Sequence, residues 1–299
     1  MEALRREIAR RLGRRALFGE PMSRHTTWGV GGPAWCFCRV DSAAELAWLI
    51  QMAAQAGAPL KIVGRGSNLL VADAGFAGLI VLLRGDLARI QFGATAMVCG
   101  GGASLAKAVR RAGERGLAGL EWAVGIPATV GGALAGNAGA AGGEMMTLCR
   151  RMTLLLPSGD LRHMAAAELA WGYRRTDLPA GAVILEAQLA LRPEAASAVL
   201  ARREQHLRRR KASQPMSART AGSVFKNPAG DFAGRLIETA GLKGRRVGRA
   251  MVSQVHANFI ENIGGATAAQ IAELMELVRE GVGRAHGVRL EPEVERVGD

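Results

Sequence analysis

In residues 41–57, DSAAELAWLIQMAAQAG, apolar side chains return every three or four positions, which predicts a helix with one buried face. Ser42 and Glu45 stand at the spacing of a capping box, and Gly57 stops the segment. The same period predicts helices in 104–116, in the basic stretch 194–214 ahead of Pro215, near 232–244, and in 267–287. In the last of these, Thr267 and Gln270 repeat the capping-box spacing. MEALRREIARRLGRR, at the start of the chain, reads as an arginine-rich amphipathic helix. Between the helices lie apolar runs of strand length at 59–64, 69–73, 78–83, 96–101 and 182–192. RRMTLLLPSGDLRHM reads as a hairpin turning on its Pro-Ser-Gly-Asp, HANFIEN contains a short strand, and VRLEPEVERVG closes the chain as a strand. Helices and strands alternate in both halves, so the fold class is α+β with mixed sheets. The composition turns basic after Pro193, which puts a domain boundary inside the helix that follows.

The chain has 299 residues, enough for two domains, with 40 glycines and only 4% aromatics. Much of it must bring backbone, rather than large side chains, close to something. No apolar run reaches the roughly 18 residues of a membrane span. The N-terminal helix has neither the apolar centre nor the cleavage site of a signal peptide, so no membrane partner is expected. Cys36, Cys38, Cys99 and Cys149 form no CxxC pair and read as reduced, buried thiols of a cytoplasmic protein that binds no metal. A net charge of +13 asks for an anionic partner. One tyrosine and the lack of zinc-finger or RNP spacing argue against nucleic acid. Phosphorylated small molecules remain, beside the plainer reading of a basic surface that aids solubility.

Five stretches carry candidate chemistry. In GRGSNLLVAD, Gly64 and Gly66 permit positive φ and close approach, and successive N–H groups can form a nest for a pyrophosphate. A tight turn explains the same residues, and the third glycine of a dinucleotide fingerprint is missing. VGIPATVGGALAGNAGAAGG lets backbone pack flat against a planar ligand or its phosphates, with Asn137 offering an amide to a heterocycle edge. Ile126, Val130 and Leu134 within it indicate order rather than a loose loop. Two such stretches in one domain favour a bound dinucleotide. In WGYRRTDLP, Arg174 or Arg175 can grip a carboxylate or phosphate bidentately, although each also suits a plain surface. In TAGSVFKNP, Ser223 suits a turn, a phosphate contact or catalysis. In LEPEVERVG, alternation puts Glu291, Glu293 and Glu295 on one face, and Pro292 suits an edge strand or a site entrance.

GRGSNLL, GIPATVGGALAGNAGA, GYRRT, AGSVFKNP, HANFIEN and LEPEV, in this order over nearly the whole chain, resemble the UDP-N-acetylenolpyruvoylglucosamine reductase (MurB) family, in the shorter subtype that lacks a tyrosine-bearing loop. The resemblance implies an N-terminal helix at 1–19 and an FAD-binding domain of the vanillyl-alcohol-oxidase type at 20–195, in two subdomains near 20–83 and 84–195. A substrate domain would follow at 196–299. It implies dissociable FAD, since GRGSN holds no histidine for covalent attachment. NADPH would reduce the flavin and leave. UDP-N-acetylglucosamine enolpyruvate would then take hydride from flavin N5 at C3, giving UDP-N-acetylmuramate for peptidoglycan synthesis. Cofactor contacts would come from Gly64, Arg65, Gly66, Ser67, Asn68 and Leu69 in the first stretch. The second would supply Gly125, Ile126, Pro127, Thr129, Val130, Gly131, Gly132, Asn137 and Gly139.

By the same resemblance Arg174 binds the substrate carboxylate and holds the charge of an aci-enolate. Glu293 sits at that end, and Ser223 delivers a proton to C2, a role that needs polarisation because a free serine is a poor acid. Tyr173, Lys226 and Asn227 are candidate substrate contacts. The expected assembly is a monomer. Ala128 and Ala141 depart from the family's usual glycine and tyrosine, which bears on cofactor affinity rather than on proton chemistry. An FAD-dependent sugar or alcohol oxidase and a non-catalytic nucleotide- or RNA-binding protein are the competing readings.

Overall fold

The structure, a computed structural model, describes residues 1–298. Contacts divide it into two compact units. The first comprises Met1–Phe18, Cys36–Gly64 and Gly78–Arg209; the second comprises Gly19–Trp35, Arg65–Ala77 and Arg210–Asp299. This grouping differs from a linear boundary at 196. Two early segments join the C-terminal part because its core is incomplete without their side chains.

Within the first unit, helices α1 (Glu2–Leu12), α2 (Ala43–Gln55) and α3 (Leu105–Glu114) form as their periodicity requires. Leu4, Ile8 and Leu12 of α1 are buried on one face, as are Leu46, Leu49 and Ala53 of α2. The long strand Val183–Ala190 lies antiparallel to Cys149–Leu155 on one side and to Ala96–Gly100 on the other, at the centre of a five-stranded sheet. The expected hairpin pairs Cys149–Leu155 with Leu161–Ala165. A short helix, α4 (Val130–Ala135), forms within the glycine- and alanine-rich stretch, and another, α5 (Met145–Leu148), follows it. Val130, Leu134, Met145 and Met146 enter the same core as Leu105, Val109 and Leu189, which explains the order of that stretch. All four cysteines are buried. The chain leaves this unit through α6 (Ala196–Ser213), where Arg202 binds Glu121 at 2.8 Å and Glu194 at 2.5 Å.

The second unit packs α7 (Ala233–Thr239) and α8 (Ala268–His286) around a core that includes Trp28, Val30, Leu70, Phe225, Ile271 and Leu274. Trp28 is fully buried, and its indole Nε1 donates to the Ile260 carbonyl at 2.7 Å. Asn262 Nδ2 in turn donates to the Trp28 carbonyl at 2.8 Å. Strand Leu69–Val71 pairs in parallel with Glu295–Val297. The closing strand read over 288–298 is therefore regular only at its end. The Thr267–Gln270 capping box forms, and Asp73 accepts the Ala268 and Ala269 N–H groups at 2.8 and 2.9 Å, completing the start of α8. Among the described residues no helix is long and apolar enough to cross a membrane.

Candidate active site

Ser223 and Glu293 are brought together in the second unit by backbone pairing. The extended segment from Ser223 to Lys226 is held on both sides. Val224 N donates to the Asn258 carbonyl at 2.9 Å, and an isolated bridge joins Ser223 to Phe259. On the other side Glu293 N donates to the Val224 carbonyl at 2.8 Å, and Lys226 N donates to the Glu291 carbonyl at 2.9 Å. Val224 and Phe225 are buried, which fixes the register; Ser223 and Glu293 are half-buried. Asn258 closes the arrangement with its side chain. Its Oδ1 accepts the Phe225 N–H at 3.0 Å and its Nδ2 donates to the Phe225 carbonyl at 2.8 Å, in a buried position. The His256 ring meets that of Phe259 at a tilt of 58°, centroids 4.7 Å apart, and accepts the Asn258 N–H at Nδ1. Burial pushes the His256 pKa below its usual value, which keeps that acceptor available.

Asn68 supports Glu293 from the third direction. Its Nδ2 donates to the Glu293 carbonyl at 3.0 Å, and its own carbonyl accepts the Glu295 N–H at 3.0 Å. Expected as a cofactor contact, Asn68 thus has its side-chain amide on the Glu293 backbone. The three glutamates do not share one environment: Glu291 and Glu295 are exposed, and only Glu293 is half-buried. Lys226 Nζ lies 3.6 Å from Glu291 Oε2, and Asn227 Oδ1 accepts the Ala233 N–H at 3.0 Å at the start of α7. Gly222 has φ 79°, and a Cβ there would meet nothing within 4 Å, so the space beside Ser223 is open.

In the first unit the two glycine-rich stretches meet. A Cβ built on Gly64 would lie 2.7 Å from Thr129 Oγ1. Thr129 Oγ1 caps α4 by accepting the Gly132 N–H at 3.2 Å. Val130 N and Gly131 N donate to the carbonyls of Ala103 and Gly101, both at 2.8 Å. The first turn of α4 is therefore satisfied by the protein, and the stretch serves close packing rather than presenting these amides to an anion. Gly125 and Ile126 are half-buried, while Pro127 and Gly132 are exposed. In the second unit, Gly66 has φ 61°, and a Cβ there would lie 2.0 Å from the His25 carbonyl. Arg65 and Asn68 are exposed, Ser67 is half-buried, and Leu69 is buried as the first residue of its strand. Replacing Gly64 with alanine is expected to displace Thr129, unlatch α4 and raise the FAD dissociation constant about tenfold, or ~1.4 kcal/mol, as read by quenching of flavin fluorescence.

Arg174 also belongs to the first unit. Strands Trp171–Gly172 and Arg175–Thr176 form a hairpin with Tyr173 and Arg174 as its two-residue loop. Arg174 takes φ 56°, a conformation that glycine or asparagine adopts more readily. Its Nη1 donates to the Gly139 carbonyl at 3.1 Å, and its guanidinium carbon lies 5.3 Å from the centroid of the exposed Tyr173 ring. Arg175, the alternative left open by the sequence, instead pairs with Asp177 at 2.7 Å on the surface. Asn137 is fully buried. Its Nδ2 donates to Glu144 Oε2 at 3.0 Å and to the Gly172 carbonyl at 2.9 Å, while its Oδ1 accepts the Met146 N–H at 3.0 Å. Both amide hydrogens are thereby engaged within the protein.

Residues 34–165 match a family described as FAD binding domain, and residues 214–297 match one described as UDP-N-acetylenolpyruvoylglucosamine reductase, C-terminal domain. A protein of that reductase name from Symbiobacterium thermophilum is 47% identical over 276 residues, 92% of this chain and 90% of the relative. The chain belongs to the UDP-N-acetylenolpyruvoylglucosamine reductase family. Another reductase of the family, from Moorella thermoacetica, is 42% identical over 100% of this chain and 99% of its own length. The crystal structure of the Thermus caldophilus reductase superposes with a TM-score of 0.82 at 37% identity, covering 94% of this chain and 98% of the other. As a reductase of this family the chain is an α+β flavoprotein, and all of the cofactor candidates, from Gly64 to Gly139, fall where the FAD-binding match lies.

Proposed function

We propose that this chain reduces the enolpyruvyl ether of UDP-N-acetylglucosamine to the lactyl ether of UDP-N-acetylmuramate, with NADPH as the reductant. The observation that carries the reading is the backbone pairing of Ser223 beside Glu293, with open space at Gly222, in a chain of this reductase family. The residues present fit FAD: beside the tight Gly64–Thr129 contact, Pro127 and Gly132 are exposed and Gly125, Ile126 and Gly139 half-buried, so backbone there is accessible to a ligand. Gly64, Gly125, Ile126, Pro127, Thr129, Gly132 and Gly139 would hold it, and Arg65, Gly66, Ser67, Val130 and Gly131 remain candidates for it. When bound, FAD supplies the hydride chemistry that links a nicotinamide to the substrate alkene.

The protein's own groups manage charge and protons. Addition of hydride to C3 places negative charge on the enolpyruvyl carboxylate. Arg174, fixed to the Gly139 carbonyl, binds that carboxylate and lowers the energy of the charged transition state. Glu293 stands beside the enol oxygen, its backbone held by Val224 and Asn68. Ser223 delivers the proton to C2, completing the saturated lactyl group. Tyr173, Lys226 and Asn227 remain substrate-contact candidates, Lys226 by its charge toward the diphosphate. Soluble nucleotide substrates suit a monomer working in the cytoplasm.

The test is an anaerobic two-step experiment on the purified protein. NADPH is expected to bleach the flavin absorbance near about 450 nm, a general property of flavins, and the enolpyruvyl nucleotide is expected to restore it without oxygen. Protein that is bleached but recolours only on admitting oxygen is an oxidase. Protein that takes up no flavin ends the reading.

A further inference from the structure

Among the described residues, the non-glycine positions with positive φ are Asn137 at 38°, Ala141 at 48° and Arg174 at 56°. Strained backbone of this kind persists only where the surroundings over-determine it, and it concentrates at functional sites. The three belong to one patch of the first unit. Ala141 lies in the turn of a hairpin that pairs Gly139–Ala140 with Gly143–Glu144. Arg174 lies in the turn of the hairpin that pairs Trp171–Gly172 with Arg175–Thr176. Asn137 lies two residues before the first hairpin and is bonded to both: to Glu144 Oε2 in one and to the Gly172 carbonyl in the other. Two further bonds fasten the second hairpin to the same stretch, from Arg174 Nη1 to the Gly139 carbonyl and from Thr176 Oγ1 to the Leu134 carbonyl at 2.7 Å.

We infer that Asn137 is a positioning residue for Arg174, the bracket that holds the arginine hairpin in its left-handed turn. The residue type follows from what the position must do. It takes φ 38° itself, which asparagine tolerates better than most side chains. It must also donate twice and accept once in a fully buried place, and a carboxamide is the smallest side chain that does so. Thr176 anchors one strand of the hairpin, Asn137 anchors the other, and Arg174 closes the third side with its own guanidinium. An arginine in a free two-residue loop would relax toward negative φ and carry its charge away from the point where a carboxylate is to be bound. The inference rests on the reading of Arg174 as the carboxylate-binding group.

The experiment compares Asn137→Asp with wild type. The buried aspartate keeps the acceptor for Met146 N–H and tolerates the left-handed backbone, but even when protonated it offers one donor where the amide offers two, so Glu144 and the Gly172 carbonyl cannot both be bonded. Hydrogen exchange in the peptide covering 171–176 is expected to quicken at least tenfold, a readout independent of activity. The substrate-dependent half-reaction is expected to slow about 10²-fold, the cost of a misplaced reacting group. Flavin reduction by NADPH and the FAD dissociation constant are expected to stay within about threefold of wild type. Should the carboxyl beside Glu144 prevent folding, Asn137→Gly supplies the same comparison, since glycine accepts φ 38° without strain. Loss of FAD affinity with unchanged hairpin exchange would overturn the inference in favour of a cofactor contact. An equal loss in both half-reactions would reduce Asn137 to a structural residue. Arg174→Ala run alongside separates the two levels. If that variant keeps the substrate half-reaction, the carboxylate reading fails, while the exchange measured on Asn137→Asp still decides whether the bracket exists.

Discussion

Ser223→Ala is expected to leave flavin reduction by NADPH unchanged and to slow turnover of the enolpyruvyl substrate about 10³-fold, within the usual reach of a lost general acid. The separation is expected because the backbone around Ser223 does not depend on its hydroxyl. Val224 N–H, the Val224 carbonyl and Lys226 N–H are each paired with Asn258, Glu293 or Glu291. Phe225 is clamped at both its backbone groups by Asn258. Removing one oxygen therefore leaves the segment in register with Glu293 and the space at Gly222 open. Rapid-scan absorbance under anaerobic conditions reads the two half-reactions separately. A proportional fall in both would make the hydroxyl a structural group, and a fall only in the first would assign it to nicotinamide binding.

The sequence showed the helices well where one face is apolar over several turns. It also showed the start of α8, because Thr267 and Gln270 are local partners and do bond reciprocally. The Ser42 box is only half realised: Ser42 Oγ accepts the Glu45 N–H, but the Glu45 carboxylate takes the Asp41 N–H at 2.9 Å and binds Arg15 at 2.6 Å. A distant cation outweighed the local partner, and no short-range pattern announces that. The same limit explains the second unit. Nothing near Trp28 or Leu70 in sequence says that their side chains complete the core around α8. Asparagines were the least legible residues. Asn68, Asn137 and Asn227 sit in motifs that suggest ligand contact, and Asn258 in another of the matching motifs, yet each has side-chain bonds to the protein backbone. A carboxamide donates and accepts alike, so its type alone cannot tell a ligand contact from a brace. Ser223 and Glu293 were found by resemblance, and the structure adds the register that joins them.

Asn258→Ala is expected to lower stability by about 3 kcal/mol and to impair the substrate half-reaction more than flavin reduction. The side chain satisfies both backbone groups of Phe225, whose ring is buried, so truncation leaves a donor and an acceptor unpaired away from water. Each such group costs about 1–3 kcal/mol. At roughly 2–4 °C per kcal/mol for a chain of more than 150 residues, the melting temperature should fall about 6–12 °C. The catalytic effect follows from geometry, since Phe225 links Ser223 to Lys226 and bridges to Pro292, the neighbour of Glu293. Asn258→Asp discriminates the two amide functions. It keeps the acceptor for Phe225 N–H and replaces the donor with a carboxylate oxygen facing the Phe225 carbonyl. It should therefore retain that one bond while repelling the other group. If Asn258→Ala melts within about 1 °C of wild type and both half-reactions are intact, backbone pairing alone holds Ser223, and the carboxamide is dispensable. If stability falls but the two half-reactions slow together, Asn258 braces the unit without setting the position of the serine. Only the combination of a lowered melting temperature with selective loss of substrate reduction identifies the clamp on Phe225 as the element that keeps Ser223 in register with Glu293.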